Sequence, residues 1–166
     1  MIIILLGPPG SGKGTQANFI QSKLSIPHLS TGDILRQSVK NETNLGNKVK
    51  NIMAKGELVS DDLVLDVIKE RVSQSDCNLG FILDGYPRNI AQAESLNIVL
   101  KDINRNIDRI LFLDVDFEVL HSRIESRSME NNKEMRADDT SEVLIKRLDE
   151  YKAQTAPLAE YYINNK

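Results

Sequence analysis

Residues 2 to 6, IIILL, are apolar at every position. A strand with one wet face alternates apolar and polar residues, so this unbroken run predicts a parallel strand covered on both sides. The chain then turns into GPPGSGKGT, residues 7 to 15, after which Ala17, Ile20 and Leu24 recur at helical spacing. Strand, glycine-rich loop and helix is the order that a phosphate-binding loop requires. Two more apolar runs end in an aspartate: Phe81 to Leu83 before Asp84, and Ile110 to Leu113 before Asp114. A weaker strand is expected over Pro27 to Leu29. Between these runs Val64, Leu65, Ile68 and Val72 predict one apolar helical face, and Ala91, Gln92, Leu96, Val99 and Leu100 a second.

This alternation predicts an α/β fold with a mostly parallel sheet, helices on both faces, and ligands bound beyond the carboxyl ends of the strands. Gly7 to Lys13 and Asp84 to Arg88 both fall at such ends. Near the C-terminus Asp139 and Glu142 have capping-box spacing, followed by a stripe of Val143, Leu144, Leu148 and Tyr151. Pro157 should kink or restart that helix.

Composition narrows the picture. A chain of 166 residues suits one domain that buries about 70% of its unfolded surface. With 21 basic against 24 acidic residues, there is no overall basic field to serve a general nucleic-acid binder. Any polyanion site must be local. Cys77, the single cysteine, excludes an intramolecular disulfide and a multi-cysteine zinc site, fits a reducing cytoplasm, and reads as a small buried side chain. MIIILL is too short to span a bilayer and lacks a basic leader, so no membrane association is expected. No repeat or linker marks a second domain.

In the loop, the small residues Gly10, Ser11, Gly12 and Gly14 let backbone N–H groups converge on phosphate oxygens, and Lys13 adds a full charge. The alternative is an ordinary strand-to-helix turn with a surface lysine. The usual loop has a hydroxyl directly after the lysine to help hold magnesium, but here Gly14 stands there and Thr15 follows. Mg²⁺ can instead sit on nucleotide oxygens with a carboxylate behind its waters. Asp84 is the candidate for that carboxylate, its alternative being a turn cap before Gly85. Asp33 in STGD is a second candidate, equally readable as part of a helix cap with Ser30 and Thr31. Arg123 and Arg127, four apart after Asp116, share one helical face that is either a ligand site or a solvated edge. Arg71, Arg105 and Arg109 are assigned to the surface, His28 to a loop and His121 to an exposed helical face.

Six stretches taken together resemble the adenylate kinases of the nucleoside-monophosphate kinase family. They are GPPGSGKGTQ (7–16), LSTGDILR (29–36), GELVSDDLV (56–64), LDGYPRNIAQA (83–93), RADD (136–139) and KRLDEYKAQTAPL (146–158). Glycine after the loop lysine is itself usual in that family. The resemblance implies a P-loop fold in one unit, with a core of 1–29, 60–127 and 137–166, a mobile AMP-binding segment of 30–59 and a short lid of 128–136. It implies reversible transfer from ATP to AMP giving two ADP. By motif, Gly10, Ser11, Gly12, Lys13, Gly14 and Thr15 would cradle ATP phosphates, with Arg123 and Arg127 covering ATP. Thr31, Arg36, Glu57, Leu58, Val59, Gly85, Tyr86, Pro87, Arg88 and Gln92 would receive AMP, and Arg136 and Arg147 would grip its phosphate or the group in flight.

The chemistry of these residue types leads the same way. An AMP phosphate is largely dianionic at neutral pH and needs no strong base, so the obstacle to transfer is repulsion between anions. Lys13, Arg36, Arg88, Arg123, Arg127, Arg136 and Arg147, with Mg²⁺, supply opposite charge. Lys13, Arg88, Arg127, Arg136 and Arg147 are the expected catalytic set, and no histidine is needed. Thr31 and Gln92 can offer hydrogen bonds to adenine, whereas relatives acting on UMP or CMP usually have alanine in place of Thr31. A pyrimidine or broad nucleoside-monophosphate kinase and a nucleotide-binding module without turnover are the alternatives. Longer lids in the family are held by four cysteines around zinc; with Cys77 alone, no structural zinc is expected. A monomer is expected, since no apolar stripe is left over. The family continues beyond a sequence like TAPLAEYYINNK through another strand and helix, so the strand at 110–113 is expected at an exposed edge.

Overall fold

The computed structural model describes residues 1–116, 119–120 and 141–165. Four parallel strands, β1 (Ile2–Leu6), β2 (His28–Ser30), β3 (Phe81–Asp84) and β4 (Arg109–Phe112), form one sheet in the order β2-β3-β1-β4. Ile4 of β1 lies opposite Leu83 on one side and Ile110 on the other. The all-apolar sequence of β1 now has its reason. Ile2, Ile4 and Leu6 join a large core, while Ile3 and Leu5 face the opposite way into a smaller one with Ala17, Ile26 and Ile82.

Seven helices are described: α1 (Lys13–Leu24), α2 (Thr31–Lys40), α3 (Asn44–Ala54), α4 (Asp61–Val72), α5 (Ile90–Asp102), α6 (Ser141–Glu150) and α7 (Leu158–Asn164). The large core gathers Leu35, Val49, Ile68, Leu96 and Leu158 from five of them against the sheet. α2 and α3 pack so closely that a Cβ on Gly46 would meet the Ser38 carbonyl oxygen at 2.0 Å. Between α6 and α7 the chain makes a π-helical turn, Tyr151–Thr155, and Pro157 stands just before α7, restarting the helix as expected. Cys77 is fully buried. Burial pushes its thiol pKa up.

Several boundaries shift. β2 begins at His28, so this residue heads a strand and is not a loop residue. β4 starts one residue early at Arg109, and Leu113 continues its ladder with a backbone bond to Leu6. In α4 Val67 is buried where Leu65 is only half-buried, and in α5 Ala93 is buried where Ala91 is exposed. Both helices are rolled slightly from the faces inferred by spacing, because the sheet and not the periodicity decides which residue points inward. Leu24 is exposed, since α1 presses onto the sheet mainly through Ala17. Among the described residues β4 is an edge strand of the sheet, as β2 is on the other side, and its Leu111 and Phe112 are exposed. Asp139 lies outside the described residues.

Candidate active site

Because β1 has β3 on one side and β4 on the other, the crevice beyond its carboxyl end is the topological switch point of the sheet. The loops after β1 and β3 both open there. Gly12 takes a left-handed conformation (φ 92°) and caps α1 without a side chain, leaving the first-turn N–H groups of that helix open to a ligand. Lys13, the first residue of α1, bends back over the loop, and its Nζ donates to the carbonyls of Gly7 (2.8 Å) and Pro8 (2.9 Å). Loss of hydration lowers its pKa to about 8; nearby Asp84 opposes that fall, and Arg88 and Arg147 add to it. Four charged groups from three separate parts of the chain therefore converge.

Asp84 ends β3 nearly buried, and its Oδ2 receives His28 Nε2 at 3.1 Å. Among the described residues that is the only hydrogen bond of its carboxylate, so Oδ1 keeps its ligand capacity on a residue that lines the crevice. A hard carboxylate oxygen beside a phosphate loop fits Mg²⁺ held through its waters. No group of three His, Cys, Asp or Glu side chains gathers among the described residues. In STGD the cap is Ser30, whose Oγ accepts from the Asp33 N–H (3.2 Å), while the Asp33 carboxylate receives Arg36 Nη2 at 2.6 Å.

After β3, Gly85 has φ 78°, and a Cβ there would meet Thr31 Oγ1 at 2.9 Å. Only glycine lets the chain turn this tightly against α2. Thr31 Oγ1 and Arg88 Nε both donate to the Gly85 carbonyl, at 2.8 and 2.9 Å. The Arg88 N–H donates to Gln92 Oε1 (2.7 Å), and the Arg88 carbonyl accepts from Thr155 Oγ1 (2.7 Å). Tyr86 is wholly buried behind this turn, its hydroxyl donating to the Gln92 carbonyl (3.2 Å) and its pKa raised by burial.

These residues wall two joined spaces. The larger, of roughly 760 Å³, is lined by Gly10 to Thr15, His28, Asp84, Pro87 and Tyr151. The smaller is lined by Thr31, Leu35, Glu57 to Val59, Val64 and Gln92. Arg36, Arg88 and Arg147 line both. The buried Ser11 hydroxyl in the larger space has no hydrogen-bond partner among the described residues, as suits a wall that receives a polar ligand.

A family model described as "Adenylate kinase" matches residues 5–166. The chain belongs to the adenylate kinase family. It is 46% identical to an adenylate kinase of Caldicellulosiruptor bescii over 98% of this chain and 86% of that protein. It is 51% identical to one from a Cyanothece species over 98% and 82%, and 48% identical to one from Stenotrophomonas maltophilia over 98% and 85%. In adenylate kinase terms, the P-loop residues expected at ATP phosphates line the larger space, and most of those expected at AMP line the smaller. Tyr86 lines neither, and Arg123, Arg127 and Arg136, with the lid at 128–136, lie outside the described residues. Sequence reasoning passed over His28, Asp61, Tyr151 and Thr155. Each stood beside or inside a quoted motif, but the partners of His28, Asp61 and Thr155 are remote in sequence.

Proposed function

We propose that this chain catalyses reversible phosphoryl transfer from ATP to AMP, forming two ADP. The observation that carries the reading is that three arginines line two joined spaces at once, with Lys13 against them. Two polyphosphates entering from opposite ends meet at Arg36, Arg88 and Arg147, which matches a reaction whose main barrier is repulsion between anions. ATP lies along the P-loop, where Lys13 leaves the Gly7 and Pro8 carbonyls for a phosphate oxygen. AMP lies in the smaller space with its base toward Thr31, Val59, Val64 and Gln92.

Asp84 would hold Mg²⁺ through its waters, and the ion would supply charge neutralisation on the transferring phosphates. The protein supplies the rest. Arg88 is held at its backbone N–H by nearby Gln92 and at its carbonyl by Thr155, 67 residues away, so its guanidinium is aimed from both sides of its own peptide unit. Arg147 reaches the junction from α6, whose Val143 and Arg147 press on Gly56 at the end of the AMP-side segment. Water exclusion belongs to closing segments, residues 30–59 and 128–136. Arg123, Arg127 and Arg136 are proposed to join this cationic set as expected from the motifs. A monomer in a reducing cytoplasm is proposed, without nucleic-acid partners in keeping with the acidic pI of about 5.5; among the described residues no helix is long and apolar enough to cross a membrane.

The test is a coupled assay of ADP formed from ATP and AMP, with UMP and CMP as competing acceptors. Turnover with AMP should exceed that with either pyrimidine, and Lys13→Ala should reduce it by ~10³ or more. ADP formation indifferent to that substitution would assign the activity elsewhere.

A further inference from the structure

The Gln92 amide is buried, and both of its atoms are committed. Oε1 accepts from the Arg88 N–H at 2.7 Å, and Nε2 donates to Asp61 Oδ1 at 2.7 Å. Asp61, in the first turn of α4, is steadied by Asn89 Nδ2 at 3.1 and 3.2 Å to its two oxygens. A backbone N–H can only donate and a carboxylate can only accept, so these partners permit one orientation of the amide. Reversing it would set carbonyl against carboxylate and amine against N–H. Each amide atom retains one further hydrogen-bonding position, a lone pair on Oε1 and an N–H on Nε2, on a side chain that lines the smaller space.

We infer that Asp61 is a positioning residue for acceptor specificity: it locks the Gln92 amide in the orientation that pairs with a 6-aminopurine and opposes a 6-oxopurine. Adenine offers an amine donor at position 6 beside an acceptor at N1; hypoxanthine offers a carbonyl acceptor beside an N1–H donor. The locked amide complements the first, whereas the second requires the reversed amide that Asp61 opposes. A site whose buried polar groups are mismatched rejects the wrong base strongly. Asp61 touches no substrate and acts through Gln92. The inference rests on AMP as the natural acceptor.

The test uses titration calorimetry with AMP and with IMP, on the full chain and on Asp61→Asn. The asparagine keeps the shape but can present either a donor or an acceptor to Gln92. In the unsubstituted chain AMP should bind more tightly than IMP, and Asp61→Asn should shrink that ratio by about tenfold, through weaker AMP and unchanged or tighter IMP binding. A merely structural role would weaken both nucleotides by one factor. Should Asp61→Asn not fold, Asp61→Ser makes the same test, since its hydroxyl also donates or accepts. An unchanged ratio with AMP still bound overturns the role of Asp61 alone; failure of the unsubstituted chain to bind AMP removes the acceptor assignment and this inference with it.

Discussion

Lys13 Nζ lies 2.8 Å from the carbonyl oxygen of Gly7, so the cation of the phosphate loop is satisfied internally before any nucleotide arrives. Its pKa of about 8 is below the ordinary 10.5, chiefly from lost hydration. Between those values the unfolded chain binds more protons than the folded one, so the contribution of Lys13 makes stability rise as pH climbs from about 8 toward 10.5. A phosphate beside the ammonium reverses the shift. ATP binding at pH 8 should therefore take up roughly half a proton at this site, seen as a binding heat that varies with buffer ionisation enthalpy. Lys13→Ala should abolish that uptake, and its persistence in the variant would locate the proton elsewhere.

His28→Ala is expected to remove the one hydrogen bond that the Asp84 carboxylate accepts among the described residues. The loss should destabilise the protein by about 1 kcal/mol. For a domain of this size that lowers Tm by about 2–4 °C. Calorimetric melting of the two proteins checks this; identical Tm values would mean that the contact at 3.1 Å carries no net stability.

Gly46→Ala should separate α2 from α3, because the new methyl group would overlap the Ser38 carbonyl. Overpacking of this kind costs about 1–3 kcal/mol. The P-loop is not part of that contact. Urea unfolding should show the loss, and titrations should show AMP weakened more than ATP; equal weakening of both would mean that the two helices do not form the AMP side on their own.

Thr155→Val keeps the shape but removes the hydroxyl that donates to the Arg88 carbonyl. Activity should fall through kcat by about tenfold, with the KM for ATP little changed, since a loosened Arg88 acts at the transferring phosphate. Steady-state kinetics with both substrates varied decides this. A rise confined to the KM for ATP would place Thr155 at the nucleotide and not behind Arg88.

How much of this was legible depends on the range of the contacts. β1 could be read because burial on both faces leaves no polar residue in five positions, and the loop after it because glycine and lysine spacing is itself the chemistry. The partners of Asp84 and Gln92 could not. His28 is 56 residues from Asp84 and Asp61 is 31 from Gln92, so only strand order and the start of α4 bring them together. STGD left Asp33 open between cap and metal ligand; in the structure Ser30 accepts the capping bond from the Asp33 N–H, and the Asp33 carboxylate receives Arg36. The π-helical turn that aims Thr155 at Arg88 has no periodic signature, since Tyr151 continues the helical stripe on either geometry.

The most direct measurement is a crystal structure of the chain bound to a two-headed inhibitor, two adenosines joined by a polyphosphate bridge. The bridge is expected to run from the P-loop to the smaller space, with Lys13, Arg36, Arg88 and Arg147 in hydrogen-bonding contact with its phosphates. A bridge lying apart from those four cations would contradict electrostatic neutralisation as the basis of catalysis.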